Sequence, residues 1–207
     1  DLTDMGAAVL DLESLANHRG SVLGLLPEDV QPSQKQFESR LAKALADVSG
    51  KGPVYVESES RKIGQVQIPN ALITQMRSSP CTVLEFPVPV RAAFLIRHYA
   101  HFLQQPELLL KQLERLNEMH GAARIGAWAT MAHAGQWHAL VTELLTLHYD
   151  PAYDRSMHRN YQQLEQASVV SWPGDPSGDP NDENAESEIY RSLARRIRAA
   201  GRSVASD

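Results

Sequence analysis

Short apolar runs of β type alternate with segments of helical spacing in the first half of this chain, and this alternation restricts the fold more than any other feature. Ser33 is suited to cap a helix whose apolar residues recur at helical spacing, and a further helix is expected to begin near Pro69. Strands that alternate with helices predict a parallel sheet with crossover helices on its faces, which is the α/β class. The runs predicted to be strands are residues 7–10, 53–56 and 81–86.

The second half of the chain is helical in pattern. Between about residue 88 and residue 160, apolar residues fall on successive helical stripes, which predicts a bundle of helices that pack on one another. Residues 167–172 then form one more β-type run, which we expect to return to an edge of the sheet. The predicted domain therefore covers residues 1–172, with its C-terminal half helical from about 88 to 160.

Residues 173–207 differ in composition from the rest of the chain. They begin with an acidic stretch rich in Gly, Asp and Pro, which is typical of a linker. A basic helix is predicted over residues 189–200, and the whole segment is expected to be poorly ordered. This helix is open to two interpretations: a solvated tail, or a contact with RNA through its arginines.

Composition excludes several classes of protein. The single cysteine, Cys81, excludes an internal disulfide framework, and no Cys or His spacing resembles a metal site. The apolar stretches are too short to span a bilayer and the first residues lack a signal-peptide pattern, so we expect a cytoplasmic protein without membrane contact. A net charge of -5 gives no globally basic surface, and RNA binding would require a local cluster of Arg and Lys.

The second predicted strand is followed by charged side chains. Glu57 comes directly after it, with Glu59 and Arg61 close behind. In phosphate-binding α/β domains a carboxylate at a strand end holds the water shell of a magnesium ion or orients an attacking group. Most strands that end in Glu simply reach solvent, but two carboxylates, a hydroxyl and a guanidinium at one strand end favour a functional site. We therefore take Glu57, Glu59 and Arg61 as candidate catalytic residues.

A polar string also follows the first predicted strand. We expect a turn in which Gly20 allows close backbone approach and Arg19 binds phosphate oxygens in a bidentate way. The same residues also fit an ordinary helix end, with His18 and Arg19 at the negative end of the dipole and Gly20 as the stop. The residues alone leave both interpretations open. The candidate phosphate-binding residues are His18, Arg19, Gly20 and Ser21.

Several blocks, taken together and in this order, resemble the tRNA 2-selenouridine synthase family. A segment with Tyr149, Asp150, Pro151 and Tyr153 also resembles a stretch near the end of the P-loop-type domain of that family. Several blocks in the right order are more specific than a single Gly-rich match. The other blocks are residues 11–24, residues 31–34 with Phe37 and Glu38, residues 56–64, and Pro69.

The resemblance implies a transferase that acts on the wobble uridine of tRNA and replaces the sulfur of 2-thiouridine with selenium from selenophosphate. The family is thought to work in two steps, in which geranyl diphosphate first alkylates the sulfur and selenium then displaces the thioether. The implied co-substrates are thus selenophosphate and geranyl diphosphate, and the implied macromolecular partner is tRNA. A diphosphate leaving group requires cations and N–H donors, and a geranyl chain requires an apolar pocket.

Roles for individual residues go beyond what the family pattern fixes. We expect Arg19 and Arg61 to neutralise the diphosphate. We expect Glu57 or Glu59 to hold a magnesium ion or to orient a nucleophile. RNA specificity would come from an anticodon base stacked on an aromatic ring or an arginine, with phosphates held by basic residues. The predicted RNA-binding patch is Tyr149, Tyr153, Arg155 and Arg159.

The sequence departs from the family pattern in its phosphate loop. No Gly-x-x-x-x-Gly-Lys-[Ser/Thr] occurs in it, and neither does the cysteine-bearing rhodanese-like domain of the family. Ser58 stands where many relatives are expected to have an acidic residue. We therefore expect a fragment that lacks the first strand and the phosphate loop of a P-loop-like sheet, and that is inactive alone.

Two other functions fit the same residues. One is a truncated P-loop kinase or ATPase, which a bare phosphate loop upstream of the chain would indicate. The other is a non-catalytic interaction module, in which the polar strings have no chemical role. Alanine substitutions of Arg19 and Arg61 distinguish these classes, because a module would keep its partner whereas an enzyme would lose turnover.

Overall fold

The computed structural model describes residues 2–20, 30–174 and 183–204. These residues form two compact units. The first unit is drawn from residues 1–84, 160–170 and 187–207, and the second from residues 85–159 and 171–186. The polar strings that follow the first two predicted strands both belong to the first unit.

The strands of the described residues are short, and each pairs with a single partner. β1 and β2 are parallel, with Ala8 opposite Val54 and Leu10 opposite Val56. β3 and β4 form an antiparallel hairpin, and β5 pairs with β6. The bounds are Ala8–Leu10 (β1), Val54–Val56 (β2), Lys62–Ile63 (β3), Val66–Gln67 (β4), Thr82–Glu85 (β5) and Ser168–Ser171 (β6).

The α/β class is confirmed, but the prediction of one parallel sheet is wrong for the described residues. Each predicted apolar run does form a strand, yet β5 pairs with β6 and neither joins β1 and β2. An apolar run identifies a strand by its burial, whereas the choice of partner depends on tertiary packing that the run does not encode. The hairpin of β3 and β4 was not predicted, because its strands are only two residues long.

Three helices of the first unit, α1, α2 and α3, contribute to one buried cluster. Ser33 caps α2 in a capping box, because its hydroxyl accepts from the Gln36 N–H while the Gln36 side chain accepts from the Ser33 N–H. Phe37 and Leu41 of α2 pack into the cluster with Leu12 of α1. The helices are α1 (Leu12–Ala16), α2 (Gln34–Val48), α3 (Asn70–Ser78) and most of a last helix, Glu183–Val204, which is α10 in chain order.

Helix α10 is longer than the helix predicted over residues 189–200, and it carries the buried residues Leu193 and Ala194. Its apolar residues therefore recur on one face that packs onto the protein. The acidic linker predicted ahead of it falls largely on residues 175–182, which lie outside the described residues.

The second unit is helical, as the spacing over residues 88–160 predicts. Trp128 and Leu140 are fully buried, and the Trp128 indole N–H donates to Glu143 at 3.0 Å. A π-helical turn, Leu145–Tyr149, separates the last two helices. The helices are α4 (Val88–His98), α5 (Ala100–Gln104), α6 (Pro106–Leu113), α7 (Asn117–His133), α8 (Trp137–Leu144) and α9 (Asp150–Asn160). In the described ranges, every helix is too short or too polar to cross a bilayer.

An ion pair joins the starts of α4 and α9. Arg91 donates to both carboxylate oxygens of Asp150, at 2.6 and 2.8 Å, and its Nε donates to the Phe86 carbonyl. Asp150 belongs to the segment that carries the family resemblance near the end of the domain. The structure gives this residue a part in holding two helices of the second unit together.

Candidate functional site

The carboxyl ends of β1 and β2 bring the first two polar strings together. Because these strands are parallel, Asp11 and Glu57 leave the sheet at the same edge. Asp11 caps α1 by accepting from the Ser14 N–H at 2.7 Å. The N–H of Glu13, in the first turn of α1, donates to Glu57 Oε1 at 2.8 Å. A carboxylate from the end of β2 is thus bound to the helix that follows β1.

The turn after α1 carries Gly20 against two carboxylates. Asn17 ends the helix in the left-handed conformation, with φ of 49°, and Gly20 adopts a φ of 64°. A Cβ atom on Gly20 would overlap the Glu59 carboxylate and lie 2.7 Å from Glu13 Oε1. The Gly20 N–H donates to His18 Nδ1 at 3.0 Å. We call Glu13, His18, Gly20, Glu57 and Glu59 the strand-end cluster.

Burial and mutual repulsion change the protonation of this cluster. The pKa of Glu13 is raised to about 7, first by burial, then by the negative charge of Glu59 and a hydrogen bond to that carboxyl group. Burial also raises the pKa of Glu57, although backbone N–H donors act in the opposite sense. The pKa of His18 is lowered by burial, with the charge of Glu59 opposing the shift. Near neutral pH, Glu13 is therefore only partly ionised, and its carboxyl group is hydrogen-bonded to that of Glu59.

Glu13→Gln is expected to make the protein more stable at high pH. The native pKa of Glu13 lies above its ordinary value of 4.5, so the stability that it contributes is complete below pH 4.5 and is lost as the pH rises through about 7. Glutamine keeps a hydrogen bond but cannot ionise. Because the side chain is half exposed, we expect a gain on the order of 1 kcal/mol at pH 8.5 and little change at pH 5.

Urea unfolding at the two pH values measures this effect. Glu165→Gln, which changes an exposed carboxylate of the same unit, serves as the matched control. Equal shifts of the Glu13 and Glu165 variants at pH 8.5 would contradict the raised pKa.

The third polar string, residues 31–34, fastens the β3–β4 hairpin beside the cluster. The Gln31 amide donates to the carbonyls of Ala16 and Ile63, and its Oε1 accepts from the Gln65 N–H at 2.7 Å. The Gln34 side chain binds both the N–H and the carbonyl of Gln67. Two glutamines of one string thus replace the ladder that such short strands cannot supply themselves.

The structure brings four of the predicted catalytic and phosphate-binding residues together. Glu57 and Glu59 lie in the strand-end cluster with His18 and Gly20. Arg61 follows on an exposed stretch, where the Ser60 hydroxyl donates to the Lys62 carbonyl. Arg19 is partly buried beside Gly20 in the chain. Ser21, the remaining predicted phosphate ligand, lies outside the described residues.

The carboxylates of the cluster do not fit a magnesium site. One oxygen of Glu57 already accepts from the Glu13 N–H, and Glu13, with a pKa of about 7, is only partly ionised near neutral pH. In the part of the chain that the structure describes, no group of three His, Cys, Asp or Glu side chains is placed to hold a metal ion. The geometry favours proton transfer over metal binding at this edge.

The structure does not bring the four predicted RNA-binding residues into one patch. Tyr149 belongs to the π-helical turn, and its ring packs edge-on against His148 with centroids 4.8 Å apart. Tyr153, Arg155 and Arg159 are exposed on α9. At about 100° per residue, Arg155 and Arg159 share one side of that helix, whereas Tyr153 points to the other.

Sequence reasoning left Glu13 and Gln31 out of the candidate site. Both stand in blocks that carry the family resemblance, but Glu57 and Glu59 are the only carboxylates among the predicted site residues. The parallel pairing of β1 and β2 is the signal that could have found Glu13, because it brings the residues after both strands to one edge. For Gln31, the signal is harder to recognise, since its partners are backbone groups of a hairpin too short to predict.

Comparison with known proteins gives a consistent result. A family model described as the tRNA 2-selenouridine synthase AAA domain matches residues 2–108. A tRNA 2-selenouridine synthase of Marinobacter nauticus is 34% identical, over 75% of this chain and 50% of the relative. Proteins of the same name are 31% identical in Alcanivorax borkumensis, over 72% of this chain and 49% of the relative, and 41% identical in Bdellovibrio bacteriovorus, over 42% and 24%. The chain thus spans at most about half the length of these relatives, and no solved structure matches it.

Proposed function

The chain belongs to the tRNA 2-selenouridine synthase family, and from this premise we propose that it is part of a transferase that replaces sulfur with selenium in the wobble 2-thiouridine of tRNA. The observation that carries the proposal is the strand-end cluster, in which the Glu13 carboxyl group, hydrogen-bonded to Glu59, has a raised pKa at the edge where two parallel strands end. In α/β domains, ligands bind at the carboxyl ends of the strands.

The proposed reaction has two group-transfer steps. The sulfur of 2-thiouridine attacks the first carbon of geranyl diphosphate, which forms a C–S bond, releases diphosphate and frees the proton of the base nitrogen. The selenium of selenophosphate then attacks C2 of the base, the carbon that carries the geranylated sulfur. That sulfur leaves as a thiol. Water finally takes the phosphoryl group from selenium, so phosphate leaves and 2-selenouridine remains.

These steps need a group that first accepts a proton and then returns one. Glu13 is suited to this role, since a carboxyl group with a pKa of about 7 exchanges its proton readily near neutral pH, and Glu59 is its hydrogen-bond partner. Glu57 acts as a positioning residue that holds the first turn of α1 through the Glu13 N–H. Of the three candidate catalytic residues, Glu59 and Arg61 keep that role in this proposal, with Arg61 as a cation that neutralises the diphosphate. The proposed phosphate-contacting residues are His18, Arg19, Gly20 and Ser21.

The remaining parts of the activity are proposed to lie in the other half of the longer proteins. The matched relatives are about twice the length that the chain covers, and no phosphate-loop motif occurs in this sequence. The phosphate loop of a P-loop-like sheet would supply the backbone N–H groups that bind the diphosphate, and a rhodanese-like domain would belong to the same longer protein. On this proposal, the chain alone has no turnover.

A chimera tests the proposal. This chain replaces the matching part of the Marinobacter protein, and tRNA nucleosides from cells that lack their own enzyme are measured by mass spectrometry with and without selenium. We expect 2-selenouridine in the chimera and at least a tenfold loss for Glu59→Gln and for Arg19→Ala. Lys43→Ala, which changes an exposed residue of α2, is the matched control. If the Glu59→Gln chimera makes as much 2-selenouridine as the unaltered chimera, the assigned site is refuted. If the unaltered chimera makes no 2-selenouridine while the Marinobacter protein does, the function is refuted.

A further inference from the structure

Helix α10 is fastened to the first unit along one face. Leu193 and Ala194 are buried, and the Arg198 guanidinium donates to the Met5 carbonyl just ahead of β1. A Cβ atom on Gly201 would lie 3.1 Å from Tyr55 Cζ, so the backbone of the helix lies directly against the ring of a β2 residue. These contacts hold the helix in a fixed orientation.

The arginines of α10 are presented in a row beside its buried face. Arg191, Arg195 and Arg198 are spaced at i, i+4 and i+7, which places them on one stripe of the helix. Arg191 and Arg195 are exposed, and the two residues are about 6 Å apart along the helix axis. The acidic residues of α10 all lie in its first two turns, at 183, 186 and 188, and residues 189–204 contain none, although the whole chain has a net charge of -5. The stripe is therefore a local concentration of positive charge on an acidic protein.

We propose that this arginine stripe binds the phosphate backbone of RNA, and, if the proposed function holds, the backbone of the tRNA substrate. Guanidinium groups carry the charge opposite to that of phosphates and can donate two parallel hydrogen bonds to each phosphate. A basic amphipathic helix can also lie on an anionic membrane, but that requires an apolar face to insert. Here the apolar face is already buried against the protein, which favours RNA.

The position of the helix suits delivery of RNA to the strand-end cluster. Tyr55, against which Gly201 lies, is two residues before Glu57. Contacts to phosphates fix the register of a nucleic acid without reading its sequence. The stripe would thus anchor the body of the tRNA, while the base that reacts is held by other groups.

Salt-dependent binding of a tRNA transcript to the 207-residue chain tests this inference. We expect Arg191→Gln with Arg195→Gln to weaken binding on the order of tenfold at low salt and to reduce the slope of log K against log salt by about 1.5. The same loss is expected for an unrelated structured RNA, because phosphate contacts are not sequence-specific. Arg191→Lys with Arg195→Lys should retain most of the binding, which distinguishes a charge effect from a folding defect.

The controls separate this inference from the proposed function. Lys43→Gln with Lys51→Gln removes the same charge elsewhere in the first unit and should leave binding nearly unchanged. Equal affinity for the arginine variant, no RNA binding by the unaltered chain, or arginine-dependent binding to anionic phospholipid vesicles instead of RNA would each overturn the inference. Failure of the selenation test, by contrast, leaves RNA binding measurable and refutes only the function.

Discussion

Gly64→Ala is expected to destabilise the first unit by about 3 kcal/mol, which is more than a hundredfold in the folding equilibrium. Gly64 turns the β3–β4 hairpin with a φ of 58°. A Cβ atom there would overlap the Gln31 side-chain amide and lie 2.7 Å from His18 Cδ2. The left-handed backbone accounts for about 1–2 kcal/mol of the expected cost, and displacement of a hydrogen-bonded side chain accounts for the rest.

Gly50→Ala isolates the backbone contribution to this effect. Gly50 has a φ of 75°, but nothing lies within 4 Å of the position that its Cβ would take. We expect a cost of only about 1 kcal/mol for this variant. Urea unfolding followed by far-UV circular dichroism, with amide hydrogen exchange of residues 62–67, measures both variants. Tryptophan fluorescence reports on the second unit, because Trp128, Trp137 and Trp172 all lie there. Equal costs for the two alanine variants would show that Gly64 is not closely surrounded.

Gln31→Met is expected to destabilise the first unit by roughly 2–4 kcal/mol. Methionine has nearly the same size, but it cannot bind the carbonyls of Ala16 and Ile63 or the N–H of Gln65. These bonds are partly buried or confined within the turn, so water replaces them incompletely. The same unfolding and exchange measurements apply, and we expect the amides of the hairpin to lose protection first.

Gln34→Met is the matched control, since it removes a similar pair of bonds at an exposed position. Water can reach the N–H and carbonyl of Gln67, so a cost below about 1 kcal/mol is expected. Gly64→Ala and Gln31→Met should also fail to add, because the first substitution collides with the side chain that the second replaces. A cost for Gln34→Met as large as that for Gln31→Met would contradict a special role for Gln31.

Much of the fold could be predicted because its signals are local. The apolar runs mark β1, β2, β5 and β6, and Ser33 caps α2 as its hydroxyl and spacing indicate. Helical stripes predict the second unit over residues 88–160 in the same way. Pairing is not local, and the runs therefore could not show that β5 joins β6 and leaves β1 and β2 as a separate pair.

The candidate site could be predicted only in part for the same reason. Glu57 and Glu59 were found because both follow one strand, within a few residues of each other. Glu13 was missed because its raised pKa depends in part on Glu59, which is distant in the sequence but close in space. The predicted RNA patch used neighbours in the sequence, whereas the turn of α9 separates Tyr153 from Arg155 and Arg159.

The glutamine bonds of residues 31–34 also determine how this part of the protein comes apart. The β3–β4 hairpin has too few ladder bonds to persist alone, and its backbone is held from the start of α2. Loss of the first turn of α2 is therefore expected to release the hairpin as well. The contact between the hairpin turn at Gly64 and the His18 ring would be lost with it. We therefore expect the helix start, the hairpin and the strand-end cluster to open together, so a ligand bound tightly at the cluster would stiffen segments separated by more than thirty positions in the chain.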